Sequence, residues 1–130
     1  MPASKEWYAL RSLVVEKKFE EAAALLRLKP LLRFAVDGMG ETVLHYLAVE
    51  NDIEAVSWLA SHSFDVNTRN AFGTPVAFEV AQLDYRELFL WFRSFGADLK
   101  CLDGRGHSIK EYVLEFGHEG IAKYLESLGF

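Results

Sequence analysis

The stretch from residue 37 to residue 48 reads DGMGETVLHYLA. Its opening, Asp37-Gly38-Met39-Gly40, has two counterparts further along the chain, Asn70-Ala71-Phe72-Gly73 and Asp103-Gly104-Arg105-Gly106. The first residues of the three openings stand 33 positions apart. An Asp or Asn near a Gly is typical of a tight turn with a positive φ. Similarity at a fixed period predicts a repeat architecture.

The same period also aligns residues outside the turns. The matching sets are Trp58, Trp91 and Tyr124; Leu59, Phe92 and Leu125; and Ala48 with Ala81. Because the aromatic set recurs at one repeat position, we expect it to pack in the core or between repeats. Several independent positions in one frame make a chance similarity improbable.

Two short apolar segments follow each turn. In the first unit, Val43, Leu44, Leu47 and Ala48 have helical spacing, and Ile53, Val56, Trp58 and Leu59 mark a second helix. The sequence therefore predicts an all-α fold in which a turn and two helices repeat. A unit this small cannot bury its apolar residues alone, so the units must stack on one another.

We interpret residues 1–130 as one domain of four units. They are an N-terminal cap at 1–36, repeats at 37–69 and 70–102, and a C-terminal capping repeat at 103–130. At the C-terminal end, Lys110 and Glu111 take the places of Leu44 and His45, which favours a last helix with no follower.

The N-terminal cap lacks the turn glycine. Setting Ser4 against Asp37 places Leu10 and Val14 on its first helix, and Pro30 follows its second helix, where a stop is expected. Trp7 lies outside the repeat frame, and we expect it to cover the exposed N-terminal edge.

The period and these motifs resemble the ankyrin repeat. The phrases that carry the resemblance are DGMGETVLHYLA, DVN at Asp65–Asn67 and GADL at Gly96–Leu99. The family's T-P-L-H tetrapeptide is similar to Thr42-Val43-Leu44-His45, and it departs to Pro75-Val76-Ala77-Phe78 and Ser108-Ile109-Lys110-Glu111 in the later units. Only the first full unit could therefore supply the family's Thr/His hydrogen bonds between neighbouring repeats. The resemblance implies a stack of helical repeats that binds another protein through its concave face.

Composition and charge exclude several classes of function. A net charge of −5 argues against a nucleic-acid partner and suits a basic protein partner, if there is one. The single cysteine, Cys101, allows no disulfide within the chain, so we expect a reducing, cytoplasmic setting. No signal peptide and no membrane segment are predicted, and the chain is expected to be monomeric on its own.

Catalytic and metal motifs are not expected. Gly38 and Gly40 lack the preceding strand and the third glycine of a dinucleotide-binding loop, and Gly104 with Gly106 fails the same test. The histidines at 45, 62, 107 and 118 include no pair with the i, i+4 spacing of a zinc motif. We interpret His45 as a hydrogen-bonding residue at a helix start, and we predict no enzyme, no metal and no cofactor.

The resemblance also indicates which positions would contact a partner. They lie at the turn tips, at the residue before each turn and at the end of each first helix. These residues are Met39, Glu41, Val49, Glu50, Arg69, Phe72, Thr74, Gln82, Leu83, Leu102, Arg105, His107, Glu115 and Phe116. Large apolar side chains at positions that should face water usually signal contact. Local packing is the alternative, and it is stronger for Leu83 and Leu102 than for Phe72.

Three functions remain open at this stage. The first is a stand-alone binding module that inhibits or sequesters one partner, as immunity proteins, antitoxins and kinase inhibitors of this family do. The second is a self-associating scaffold that uses Phe130 and the apolar C-terminal end. The third, least favoured, is an enzyme built on His107.

Overall fold

A computed structural model describes residues 3–130, and this range is helical with short turns between the helices. The helices are α1 (Lys5–Val15), α2 (Phe19–Leu28), α3 (Val43–Val49), α4 (Ile53–Ser61), α5 (Val76–Gln82), α6 (Arg86–Phe95), α7 (Ile109–Glu115) and α8 (Glu119–Ser127). A 3₁₀ turn at Pro30–Arg33 follows α2. No strand is found within these residues, so the predicted all-α class is confirmed.

The helices form four antiparallel pairs that stack in chain order. Each odd-numbered helix contacts the helix that follows it, and α1, α3, α5 and α7 also contact one another in sequence. The interior is apolar, and Leu44, Phe78, Phe89 and Phe92 are fully buried there. Neighbouring pairs thus supply the apolar contacts that no single pair could make.

Hydrogen bonds from polar residues fix where several helices begin. Thr42 accepts from the backbone N–H of His45 at the start of α3, and Ser108 forms a capping box with Glu111 at the start of α7. Pro75 stands at the same place before α5 and offers no side-chain cap. A capping side chain satisfies backbone donors that the helix leaves unpaired.

A tight loop, which we call a finger, precedes each of α3, α5 and α7. The three fingers are residues 37–41, 70–74 and 103–107. In each finger the first residue's side-chain oxygen accepts two backbone N–H bonds, so that Asn70 Oδ1 accepts from Phe72 and Thr74 at 2.9 and 3.1 Å. Asp37 and Asp103 do the same in their own fingers. The Asp or Asn that opens each repeat is therefore the residue that closes the loop.

Successive fingers are joined by backbone hydrogen bonds. The N–H of Ala71 donates to Met39 O at 2.9 Å, and the N–H of Gly104 donates to Gly73 O at 3.0 Å. Gly40 has a φ of +75°, and a Cβ built on it would lie 2.5 Å from Ala71 N. The predicted positive-φ glycine is confirmed, and at this position the next finger also leaves no room for a side chain.

The N-terminal cap keeps the predicted register to within one residue, since the positive-φ residues that follow α1 and α3, Lys17 and Asn51, lie 34 positions apart. Ser4 caps α1 just as Thr42 caps α3. Because the cap has no finger, α1 begins about a turn earlier in this frame than α3 does. Trp7, expected to cover the N-terminal edge, is buried against the first full repeat, where it donates from Nε1 to Glu41 O at 3.2 Å and packs on Tyr46.

Two of the three aromatic residues at the recurring position, Trp58 and Tyr124, pack between neighbouring helix pairs. Trp58 stacks on Phe19 of the cap with ring centroids 5.1 Å apart, and Tyr124 lies beneath the guanidinium of Arg86 at 4.4 Å. Trp91 instead stacks on Phe95 of its own helix.

Two glycines with nearly equal backbone angles allow the cost of the finger contact to be measured. Gly106 has a φ of +80° with no atom within 4 Å of an added Cβ, whereas Gly40 meets the next finger. We expect Gly106→Ala to lower the free energy of unfolding by about 1–2 kcal/mol, the cost of a left-handed alanine. Gly40→Ala should cost about 1–3 kcal/mol more, because the fingers must also move apart. Urea denaturation of both variants measures this difference, and equal losses would show that the close approach carries no energy.

Candidate functional site

The predicted contact residues lie on the fingers, directly before two of them, and at the ends of the three helices that follow them. We call this surface the finger face and define it by the fourteen residues named above. Its most exposed apolar member is Phe72, which is 68% exposed at the tip of the second finger. Met39 occupies the corresponding tip of the first finger and is also exposed, while Arg105 stands at the third. Two neighbouring tips therefore present large apolar side chains to solvent.

The helix ends add a second set of exposed residues. Glu50, Leu83 and Phe116 are the C-caps of α3, α5 and α7, and all three are exposed. Leu83 is 37% exposed and Leu102 is 54% exposed. Leu102 therefore faces solvent more than local packing would allow, whereas most of the surface of Leu83 is covered.

Five of the predicted residues are only partly accessible. They are Glu41, Val49, Thr74, Gln82 and His107. Gln82 is held by a contact of 3.3 Å between its Nε2 and His118 Nε2, and Val49 accepts a bond from the hydroxyl of Tyr85 through its backbone oxygen. These residues connect neighbouring pairs as well as bordering the finger face.

Two of the predicted cationic residues are tied into the fold. Arg69 donates to Gly73 O at 3.1 Å and to Leu102 O at 2.7 Å, and so links the second finger to the third. Arg105 makes a two-pronged ion pair with Glu115 at 2.9 Å in both contacts. The guanidinium of Arg105 is therefore neutralised at the surface, whereas Arg69 meets only carbonyl oxygens in these bonds.

A cluster of polar side chains lies beside the first two fingers. His45 is fully buried, and its Nε2 lies 3.0 Å from Glu79 Oε1 and 3.8 Å from Glu41 Oε2. Asn70 donates to the same Glu79 oxygen at 2.8 Å. The interpretation of His45 as a hydrogen-bonding residue at a helix start is confirmed, and its bond to Glu79 joins the first full repeat to the second. The cluster holds two carboxylates against one imidazole.

The side chains of Glu41, His45 and Glu79 are close enough to hold a metal ion, since their donor atoms lie within 4.8 Å of one another. His45 Nε2 and Glu79 Oε1 are, however, already bonded to each other. Both residues also lie in the first turns of their helices, where the helix dipole disfavours a cation. The prediction of no metal stays a prediction.

The Glu41 carboxyl has an unusual environment. Burial raises its pKa above the ordinary value, His45 acts in the opposite direction, and the carboxylates of Glu79 and Asp37 raise it further. The side chain is only 12% exposed. Burial therefore disfavours the charged form of this carboxyl.

Sequence reasoning missed two parts of the surface. Tyr112 lies between Phe78 and Phe116, and burial together with nearby carboxylates raises its pKa to about 12, so its hydroxyl remains able to donate a hydrogen bond. A surface groove of about 450 Å³ lies between α1 and α3, with Arg11 and Tyr46 among its lining residues. The groove was missed because the cap does not follow the 33-residue frame, although Arg11 lies among three aromatic residues.

The two residues considered for chemistry have ordinary structural surroundings. Burial raises the pKa of the Cys101 thiol, which disfavours the thiolate that a nucleophile needs. His107 Nδ1 lies 3.5 Å from Glu115 Oε1, and that carboxylate is already bound by Arg105. Neither arrangement favours the enzyme hypothesis.

Comparison with known families agrees with this geometry. Residues 44–92, which run from α3 through α6, match the family model described as ankyrin repeats, present in many copies. This match supports the resemblance to ankyrin repeats over residues 44–92. The helix pairs on either side of this range continue the same stacking. No curated protein matches the chain. Among residues 3–130, no helix has the length and apolar character needed to cross a bilayer.

Replacing Glu41 by Gln tests whether burial of this carboxyl lowers the stability of the fold at neutral pH. A carboxyl whose pKa is higher in the folded chain stabilises the fold below its unfolded pKa and loses that contribution as the pH rises through the folded value. We therefore expect Glu41→Gln to raise the free energy of unfolding at neutral pH, and we expect this gain to vanish below about pH 4. Urea denaturation across this pH range measures the effect.

The control is Glu50→Gln, which removes the same charge from an exposed helix end. Its effect should stay within about 0.5 kcal/mol and change little with pH. A loss of stability in Glu41→Gln at neutral pH would contradict the assignment.

Proposed function

We propose that this ankyrin-repeat protein binds one protein partner through the finger face and thereby inhibits or sequesters it. Ankyrin repeats are protein–protein interaction modules. The observation that carries the finer proposal is the pair of exposed apolar tips, Met39 and Phe72, on fingers joined by a backbone hydrogen bond. An exposed patch of this kind on a soluble protein usually marks a contact site.

The rigidity of the fingers supports a role in recognition. Each tip side chain stands on a loop closed by two Asx bonds and fixed to its neighbour, so little conformational freedom is lost when a partner binds. Burying an exposed phenylalanine contributes about 1.5–3 kcal/mol. Phe72 is therefore suited to be an anchor residue at the centre of an interface, where aromatic side chains are enriched.

The charges of the finger face favour a basic partner. Glu41 of this face and the neighbouring Glu79 place two carboxylates against the one imidazole of His45, which would favour a lysine or arginine of the partner there. Residues 37–130 contain fifteen Asp and Glu against seven Lys and Arg. Such a surface attracts a positively charged protein and speeds their encounter.

The scaffold alternative has weaker support. It relied on Phe130 as an exposed apolar end, yet Phe130 is half-buried with its ring centroid 6.3 Å from that of Phe89. We therefore favour a monomer that acts in one-to-one complexes. An immunity or antitoxin role in the cytoplasm is the form of this function that an acidic inhibitor of a basic protein would take.

A catalytic role is not part of the proposal. Ankyrin-repeat proteins are generally non-enzymatic binding modules. The raised pKa of Cys101 and the shared carboxylate beside His107 agree with a binding role.

The test is affinity capture followed by titration of the captured partner. We expect wild type to form a one-to-one complex and Phe72→Asp to weaken it by more than about tenfold, because the substitution places a charge where an apolar ring is buried. Isothermal titration calorimetry with the purified partner gives the stoichiometry and the affinity.

The matched control is Leu90→Asp, which introduces the same charge at an exposed apolar position on α6, outside the finger face. Both variants should keep the helical content of wild type. If Phe72→Asp and Leu90→Asp bind as tightly as wild type, the finger face is not the contact surface.

A further inference from the structure

The N-terminal cap carries an exposed apolar surface that the proposed function does not use. Leu28 and Leu31 are each 76% exposed, and Phe34 is also exposed three residues further on. By contrast, none of the exposed large hydrophobic residues in the described part of the chain lies on α8, the last helix. End units of a helical stack normally have a polar outer surface. The second helix of the cap and the turn after it depart from this rule.

Part of this surface forms a groove. Leu28, Leu31, Leu32 and Ala35 line a groove of about 490 Å³ next to the start of α1, and we call it the cap groove. Lys29 and Glu6 also line the groove, and their ion pair, 3.0 Å long, balances the two charges there. A groove of this volume is large enough to take several side chains of a partner.

The charge around the cap groove is positive. The stretch from Arg27 to Val36 contains Arg27, Lys29 and Arg33 and no acidic residue. Within residues 3–130, Arg27 and Arg33 take part in no ion pair, and Arg33 is held through the carbonyl oxygens of His62 and Pro30. Arg27 and Arg33 are sequence neighbours of the lining residues Leu28 and Leu32, so two cations without an ion-pair partner in the described range adjoin the lining in the chain.

The net charge of the whole cap is also positive. Residues 1–36 contain seven Lys and Arg against four Asp and Glu, a net charge of +3. Residues 37–130 contain seven against fifteen, a net charge of −8. The cap of a second copy has the same positive charge and would be repelled. An anionic bilayer would attract the cap but repel the acidic residues 37–130. An acidic protein segment that contacts only the cap would meet no such repulsion.

We infer that the cap groove is a second docking site, which takes an acidic protein segment with apolar side chains. The apolar side chains fill the space between Leu28 and Leu31, and the carboxylates pair with Arg27 and Arg33. This site differs from the finger face in position and in the sign of its charge. It does not depend on the function proposed for that face.

The inference is tested by selecting short random peptides, displayed on phage, against the full chain. Clones that also bind a Leu28→Ser/Leu31→Ser double variant are removed. We expect the remaining peptides to carry an excess of Asp and Glu next to Leu, Ile or Phe. A labelled peptide of this set should bind the double variant at least about tenfold more weakly than wild type. Its affinity should also fall in Arg27→Glu and at high ionic strength, where charge pairing is screened.

Two controls separate this site from others. Leu90→Ser makes the same kind of change at an exposed leucine of α6, and Phe72→Asp alters the finger face. Both should bind the peptide as wild type does. Circular dichroism checks that the double variant is folded, which is expected because both leucines face solvent.

Other outcomes would overturn the inference. Peptides that are neutral or basic, a selection that yields no sequence specific to the two leucines, or loss of binding in Phe72→Asp would each do so. Sedimentation of wild type, but not of the double variant, with vesicles of phosphatidylcholine and phosphatidylserine would make lipid the occupant. A mass that rises with protein concentration in wild type alone would make a second copy the occupant.

Discussion

The close backbone contact between successive fingers is the constraint on which the rest of the molecule depends. Ala71 N–H reaches Met39 O only because Gly40 presents no side chain to the following finger. The next pair of fingers repeats the arrangement with Gly73 and Gly104. These bonds fix the spacing of the inner helices that follow the fingers, and so they also determine which side chains share the exposed face. A fixed period in sequence becomes a fixed period in space for this reason.

In the cluster of Glu41, His45 and Glu79, two residues that join neighbouring repeats lie next to a residue of the proposed binding surface. His45 and Glu79 join two repeats, and Asn70 holds the shared carboxylate from the finger. Glu41 takes part in the fold through its backbone, since its N–H donates to Asp37 Oδ1 and its carbonyl oxygen accepts from Trp7 Nε1. Its side chain belongs to the proposed binding surface, and burial raises the pKa of its carboxyl. A buried carboxyl at such a position agrees with the common trade of stability for activity.

The sequence predicted the parts of the fold that follow the repeat. The period placed the three turns, the helix pairs and the exposed tip of Phe72, since a positive-φ glycine and an Asx turn are local features. The cap was less predictable, because without a finger Ser4 begins the helix directly and Trp7 turns into the core. The partners of Arg69, Glu79 and Arg105 depend on contacts between units, which a single sequence does not specify. The exposure of Leu83 and Leu102 depends in the same way on how the units meet.

The opposite signs of the cap and of the later repeats give the molecule a permanent electric dipole along the direction of stacking. Such a dipole exerts a torque on the protein as it diffuses towards a charged body, so that one end is turned forward before any side chains touch. The rate of productive encounters would then exceed that of a uniformly charged protein of the same net charge, most strongly in dilute salt. The uneven placement of Lys, Arg, Asp and Glu along the chain thus determines how the protein is oriented when it approaches a charged body.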